Sequence, residues 1–155
     1  MNIEKLRISL YTHRQTNNTS QNNFSKRCGL SPRKFRSLTS PNEEKREKVT
    51  VLQENSILYI LYLIENKDID CKDLSTANSI NVDEIRNDLL KLKISQNSFA
   101  KLAGMTSRRI RALLSPTITK RSLPRILEAN SMLYTLMQIK NGSMEYKVSE
   151  RPRTI

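Results

Sequence analysis

The chain has 155 residues, 37% apolar and 27% charged, which bounds it to one ordinary domain or two small ones with a modest core. Lys and Arg number 27 against 15 Asp and Glu, and a net charge of +12 favours a polyanionic partner through counterion release and long-range steering. Two cysteines and one histidine, His13, exclude a disulfide scaffold and a Cys/His metal centre.

Glycine is rare, and no Asn-Gly or Asp-Gly turn is flanked by alternating strands, so an all-α fold is expected. The apolar run from Ile57 to Ile64 is only eight residues long, too short to span a bilayer. Residues 1–15 lack a sustained apolar stretch, so no secretory signal is expected. The expectation is a soluble, intracellular protein without membrane association, metal or cofactor. It would lie in the nucleus of a eukaryotic cell, or in the cytoplasm or nucleoid for a bacterium or phage.

Residues 2–14 are expected to form a short helix with Ile3, Leu6 and Leu10 on one face, followed by an Asn/Thr-rich link over 15–19. Ser20 offers an N-cap for a helix from Gln21 to about Cys28, which Gly29 ends because it can take a positive φ. Ser31 caps the next helix, Pro32 occupies its first position, where a missing N–H costs nothing, and Pro41 stops it. Residues 43–66 read as one longer helix, a charged EEKREK face followed by the core segment LQENSILYILYLIE.

The stretch 62–91 holds seven acids against four bases, so the positive excess lies elsewhere. Within it Asp68, Asp70 and Asp73 read as a solvated turn, and Ile85, Leu89 and Leu92 have the spacing of a helix that backs the next motif. Asp83, Glu84, Asn87 and Asp88 on that helix would repel phosphate, which makes its expected role structural. Thr106 then caps a helix stopped by Pro116, Arg125 to Lys140 forms a second long helix, and 142–155 is expected to be a flexible tail.

Residues 20–61 recur at a constant offset of 75 as residues 95–136, with 19 of 42 positions identical and no gap. A repeated block is a unit that folds and works as a unit. Cys28 matches Ala103, which marks a small packed core position rather than a ligand or a bridge. The block also meets the demands of a helix-turn-helix in both copies. Phe24 and Phe99 point inward, Ser25 and Ala100 are small where two helices touch, and Gly29 and Gly104 stand at the turn. Leu30 and Met105 plug the turn, while Phe35/Leu38 and Ile110/Leu113 form the buried face of the second helix.

The run SQNSFAKLAGMTSRRIRALL resembles the helix-turn-helix of the lambda repressor-like superfamily, which includes phage repressors and the POU-specific and CUT domains. The resemblance covers 83–114 closely and 20–38 moderately; the polar insertion before Ser20, Ser25 and Pro32 depart from it. It implies a bundle of four or five helices whose third helix reads DNA. The expected organisation is a first helix-turn-helix repeat over 1–70, a helical connector over 71–82 and a second repeat over 83–141.

The expected function is sequence-specific binding of double-stranded DNA by a transcription regulator or chromosome-associated factor. Candidate base-contacting residues are Arg33, Arg36, Ser37, Ser107, Arg108 and Arg111, because arginine on such a helix can pair with guanine O6 and N7. Candidate phosphate contacts are Gln21, Lys34, Gln96, Arg109, Lys120 and Arg121.

The competing expectation is a helical protein-interaction scaffold within a nucleic-acid-associated complex. It would dock partners through the stripe Leu52, Ile57, Leu58, Ile60, Leu61 and Ile64 and its counterpart Leu127, Met132, Leu133, Leu136 and Met137. Only eight aromatics leave little for base stacking, which disfavours single-stranded RNA. No paired acids, Cys–His couple or Gly-rich phosphate loop stand out, so neither an enzyme nor a small-molecule substrate is expected.

Overall fold

The structure, a computed structural model, describes residues 1–17, 20–66 and 80–146, with the side chains of 13–17 left aside. Residues 71–79 of the expected connector, with Cys71 and the acids Asp68, Asp70 and Asp73, lie outside the described residues, as does 147–155 of the tail. The fold is all-α, as expected. Its helices are α1 (Ile3–Asn17), α2 (Gln21–Cys28), α3 (Pro32–Leu38), α4 (Val51–Glu65), α5 (Val82–Lys91), α6 (Gln96–Ala103), α7 (Ser107–Leu113) and α8 (Ile126–Lys140).

The short helices begin where hydroxyls can take up otherwise unpaired N–H groups. Ser20 accepts from the Asn23 N–H at 3.1 Å, Ser31 from Lys34 at 3.1 Å, Ser95 from Ser98 at 2.8 Å and Thr106 from Arg109 at 3.1 Å. Between α2 and α3, and again between α6 and α7, the chain turns through left-handed glycines, Gly29 at φ 82° and Gly104 at φ 73°. Only a residue without a Cβ adopts that conformation freely.

The four carbonyls at the end of α2 are all accounted for, and the way they are shared defines the fold. The turn supplies two donors, the Leu30 N–H to Ser25 O at 2.9 Å and the Gly29 N–H to Lys26 O at 3.0 Å. Ser56, on α4 of the same copy, donates to Cys28 O at 2.5 Å, and Asn130, on α8 of the other copy, donates to Arg27 O at 2.9 Å. At the end of α6 the pattern returns with the copies exchanged. Met105 and Gly104 serve Ala100 O and Lys101 O, Ser131 donates to Ala103 O at 2.6 Å, and Asn55 reaches across to Leu102 O at 2.9 Å. The two asparagines also donate to the opposite serines, Asn55 to Ser131 and Asn130 to Ser56, each at 3.1 Å.

These contacts are reciprocal: what residue i of the first copy does to the second, its counterpart does in return. Reciprocity of this kind defines a two-fold relation, the isologous geometry of a symmetric dimer, here within one chain. The axis passes where α4 crosses α8. The turn glycines lie on the same interface. A Cβ on Gly29 would stand 2.6 Å from the Leu127 nitrogen, and one on Gly104 would stand 2.5 Å from the Leu52 nitrogen. Leu52 and Leu127 are themselves counterparts at the repeat offset.

Each copy builds its own core against its long helix. In the first, Leu6, Phe24, Cys28, Phe35, Leu38, Ile57, Ile60 and Ile64 are buried together, with Leu127 of the other copy packed against them. In the second, Ile85, Leu89, Phe99, Ala100, Ile110, Leu113, Met132, Leu136 and Ile139 do the same. Each fully buried large side chain contributes about 1.5–3 kcal/mol relative to exposure. Cys28 and Ala103 are both fully buried, in keeping with a packing role.

The repeat extends further than identity reveals. Arg46 donates through Nε to Ser40 O at 2.9 Å and pairs with Glu4 of α1 at 3.2 Å. Its counterpart Arg121 donates to Ser115 O at 2.6 Å and pairs with Asp83 of α5 at 2.7 Å. Helices α1 and α5 therefore hold equivalent places, although Glu4 and Asp83 are 79 residues apart rather than 75. The additional residues lengthen α1, which has 15 residues against 10 in α5.

Three expectations are corrected. Helix α1 runs through Asn17, into the stretch read as a link. Residues 43–66 are not one helix but a single 3-10 turn (Glu43–Lys45), an extended segment and then α4. Tertiary contacts outweigh the helix propensity of EEKREK there, because the Glu47 N–H bonds Ser37 O at 3.2 Å and holds the chain alongside α3. Residues 143–146, read as part of a flexible tail, are held in place: the N–H groups of Ser143 and Met144 both bond Gln138 O, and Met144 and Tyr146 pack on the second core.

Replacing Asn55 or Asn130 by alanine leaves a buried carbonyl of the opposite copy without its donor. Each change is expected to lower stability by about 1–3 kcal/mol, measured by urea unfolding, and Asn130→Ala is expected to loosen α2 as well as α8 in hydrogen exchange.

Candidate nucleic-acid interface

Helices α3 and α7 turn Phe35 and Leu38, or Ile110 and Leu113, into the cores. That orientation leaves Arg33 and Arg36 of α3 and Arg108 and Arg111 of α7 exposed, each pair one turn apart on a common face. Among the described residues Arg33, Arg36 and Arg108 have no acid within ion-pair distance. Arg111 donates to the Asn97 amide oxygen of α6 at 3.4 Å. Ser37 and Ser107 are half-buried.

The neighbouring basic position differs from the outward placement expected of it. In α7 the Arg109 guanidinium grips Glu128, the third residue of α8, through Nε at 2.8 Å and Nη2 at 2.9 Å. Nη2 also donates to Leu123 O at 3.1 Å. Glu128 is 1% exposed and accepts from the Arg125 N–H at 2.9 Å, which also closes the start of α8. Burial alone would push the Glu128 carboxyl up, but the Arg109 and Arg125 bonds outweigh it and hold it down at about 2.

In α3 the counterpart Lys34 pairs with Glu47 on the extended segment. Glu47 also accepts from the Ser37 hydroxyl at 2.7 Å, and the Lys34 bond, followed by that of Ser37, keeps its carboxyl below the usual range. The acids differ in origin. Glu128 corresponds to Gln53, which only completes a capping box with Thr50, and Glu47 corresponds to Ser122. Arg121, a further expected phosphate contact, is likewise engaged internally through Ser115 and Asp83.

Gln21 is exposed and Gln96 half-buried, both on the first turn after their N-cap serines, and Lys120 is exposed on a single 3-10 turn (Ile118–Lys120). Four surface residues escaped the sequence reading: Asn22 and Asn97, exposed and identical, Lys45, the exposed counterpart of Lys120, and Glu47. Identity at the repeat offset was the signal for the first two. Nothing in the sequence pointed to Glu47, whose importance comes from tertiary placement.

A cleft of about 750 Å³ opens between the ends of α4 and α8 and helix α5, lined by Tyr59, Tyr62, Leu63, Asp88, Met137 and Lys140 among others. It shares no residue with the arginine faces. Among the described residues no group of three His, Cys, Asp or Glu could hold a metal, and no helix is long and apolar enough to cross a membrane. Comparison of the chain with protein-family models, curated proteins and solved structures gives no match.

Because the Glu128 carboxyl is held down in the fold, its stabilisation is complete above the ordinary carboxyl range near 4.5 and is lost as pH falls toward 2. Urea midpoints are expected to fall over that window in the wild type and less steeply in Glu128→Gln. Arg109→Ala is expected to cost about 2–3 kcal/mol at neutral pH by stranding the buried carboxylate.

Proposed function

We propose that the protein binds double-stranded DNA sequence-specifically, as a transcription regulator or chromosome-associated factor, with α2–α3 and α6–α7 acting as two helix-turn-helix units. One observation carries this reading. Positions that are identical between the copies fall into core, fold-locking and exposed groups, and the charged or amide members of the exposed group are Asn22/Asn97, Lys26/Lys101, Arg33/Arg108, Arg36/Arg111 and Lys45/Lys120. No acid is identical between the copies. A merely solvated surface has no reason to retain cations and lose every anion in register, whereas a surface that meets phosphate and base edges does.

The chemistry follows from the geometry. Arginines one turn apart on an exposed helix face can present bidentate donors to guanine or grip phosphates, and Gln21 and Gln96 open helices whose N-termini favour an anion. Arg109, Lys34 and Arg121 support that surface by holding it to the rest of the fold. The likeness of the second copy to lambda repressor-like units belongs to this reading, with α7 as its reading helix.

The protein-scaffold alternative loses its main support. Ile57, Ile60, Ile64, Met132 and Leu136 of the apolar stripes are buried within the chain's own cores.

Arg108→Ala combined with Arg111→Ala is expected to weaken specific duplex binding by about 10²-fold, at roughly 1–3 kcal/mol for each base-reading pair, while leaving the unfolding midpoint nearly unchanged. Fluorescence anisotropy against salt concentration checks it. Specific affinity that survives the double change overturns the assignment of α7.

A further inference from the structure

We infer that the duplex site is an imperfect inverted repeat, read by a single copy of the chain as a rigid pair of unequal half-sites. This rests on the DNA reading above and goes beyond it by fixing the form of the target.

The reciprocal contacts at the centre of the molecule fix its polarity. Asn55 reaches Leu102 O while Asn130 reaches Arg27 O, and Gly29 lies against Leu127 while Gly104 lies against Leu52. The operation that superimposes one reading helix on the other is thus a half-turn, not a translation. If both helices dock in the same way on one duplex, that half-turn must coincide with a dyad of the DNA, so the second half-site runs opposite to the first. Two heads on a free tether would accept direct or inverted repeats at varied spacing. Here the turn of each head abuts the long helix of the other, so spacing is fixed by the fold.

The half-sites are unequal because the flanks of the reading helices differ. Beside α3 the chain carries Glu43, Glu44 and Glu47, and Glu47 occupies both Lys34 and the Ser37 hydroxyl. Beside α7 the matching stretch TITKRSLPR contains no acid, and Ala112 replaces Ser37. The second head therefore meets phosphate with more positive charge. The first offers a carboxylate next to its reading face, an acceptor suited to the cytosine amino group.

Selection of bound sequences from a random duplex pool by the full-length chain tests the inference. The expected product is two inverted elements at one spacing, one more strongly defined than the other, with one chain per site by mass measurement. Inserting about 5 base pairs, half a helical turn, between them is expected to weaken binding by about 10²-fold or more. A direct repeat, a lone element or two chains per site overturns the inference while leaving DNA binding intact. Failure to enrich any duplex overturns the DNA reading itself. Glu47→Ser is expected to make the two selected halves more alike; unchanged inequality overturns the role given to Glu47.

Discussion

The ends of two short helices, α2 and α6, govern the architecture. A helix leaves four carbonyls without intrahelical donors, and when those ends are buried every one must be paired. Each copy can supply three donors from its own turn and its own long helix, through Ser56 or Ser131. The remaining donor is an asparagine amide of the other copy. Neither copy is complete alone, which suits a unit near the lower size limit for independent folding. The crossing of α4 and α8, the placement of the glycines and the relative orientation of α3 and α7 all follow from this exchange.

Charge is sorted by the same packing. Arg46 and Arg121 brace the chain after α3 and α7 against α1 and α5, and Lys34 and Arg109 tie α3 and α7 each to an acid of its own copy. The Arg109 site needs the planar fork of arginine, since Glu128 receives two parallel bonds, whereas a lysine suffices opposite the exposed Glu47. With those cations compensated, the positive surface narrows to residues such as Arg33, Arg36, Arg108 and Lys120. The excess of bases over acids in the sequence is therefore only partly an excess of uncompensated charge on the surface.

Much of this was legible in the chain. Phe24 and Phe99, the small residues at 25 and 100, the turn glycines and the capping hydroxyls follow local rules, and all behave as their spacing implies. The break before α4 was legible too, though missed: Thr50 and Gln53 have capping-box spacing, and Pro124 in the second copy stands opposite Val49. What no local rule carries is partnership across sequence distance. That Asn55 and Asn130 serve the opposite copy, that Arg109 turns inward and that Glu47 lies beside Ser37 depend on how helices meet, and pattern alone assigns polar residues to solvent. The glycines are the clearest case. The turn explains why they are glycine, but not that another helix lands on them.

Enclosing a two-fold interface within one polypeptide changes what dilution can do. Separate subunits joined by the same contacts would part as concentration fell, and their stability would be inseparable from their abundance. Here the chain itself holds α4 and α8 in reach of each other, so the paired arrangement forms by a first-order event and persists at any concentration. Each half is also free to vary on its own, because a substitution in one copy is not imposed on its mate. Ser122 opposite Glu47, and Gln53 opposite Glu128, are differences that a dimer of identical chains could never hold.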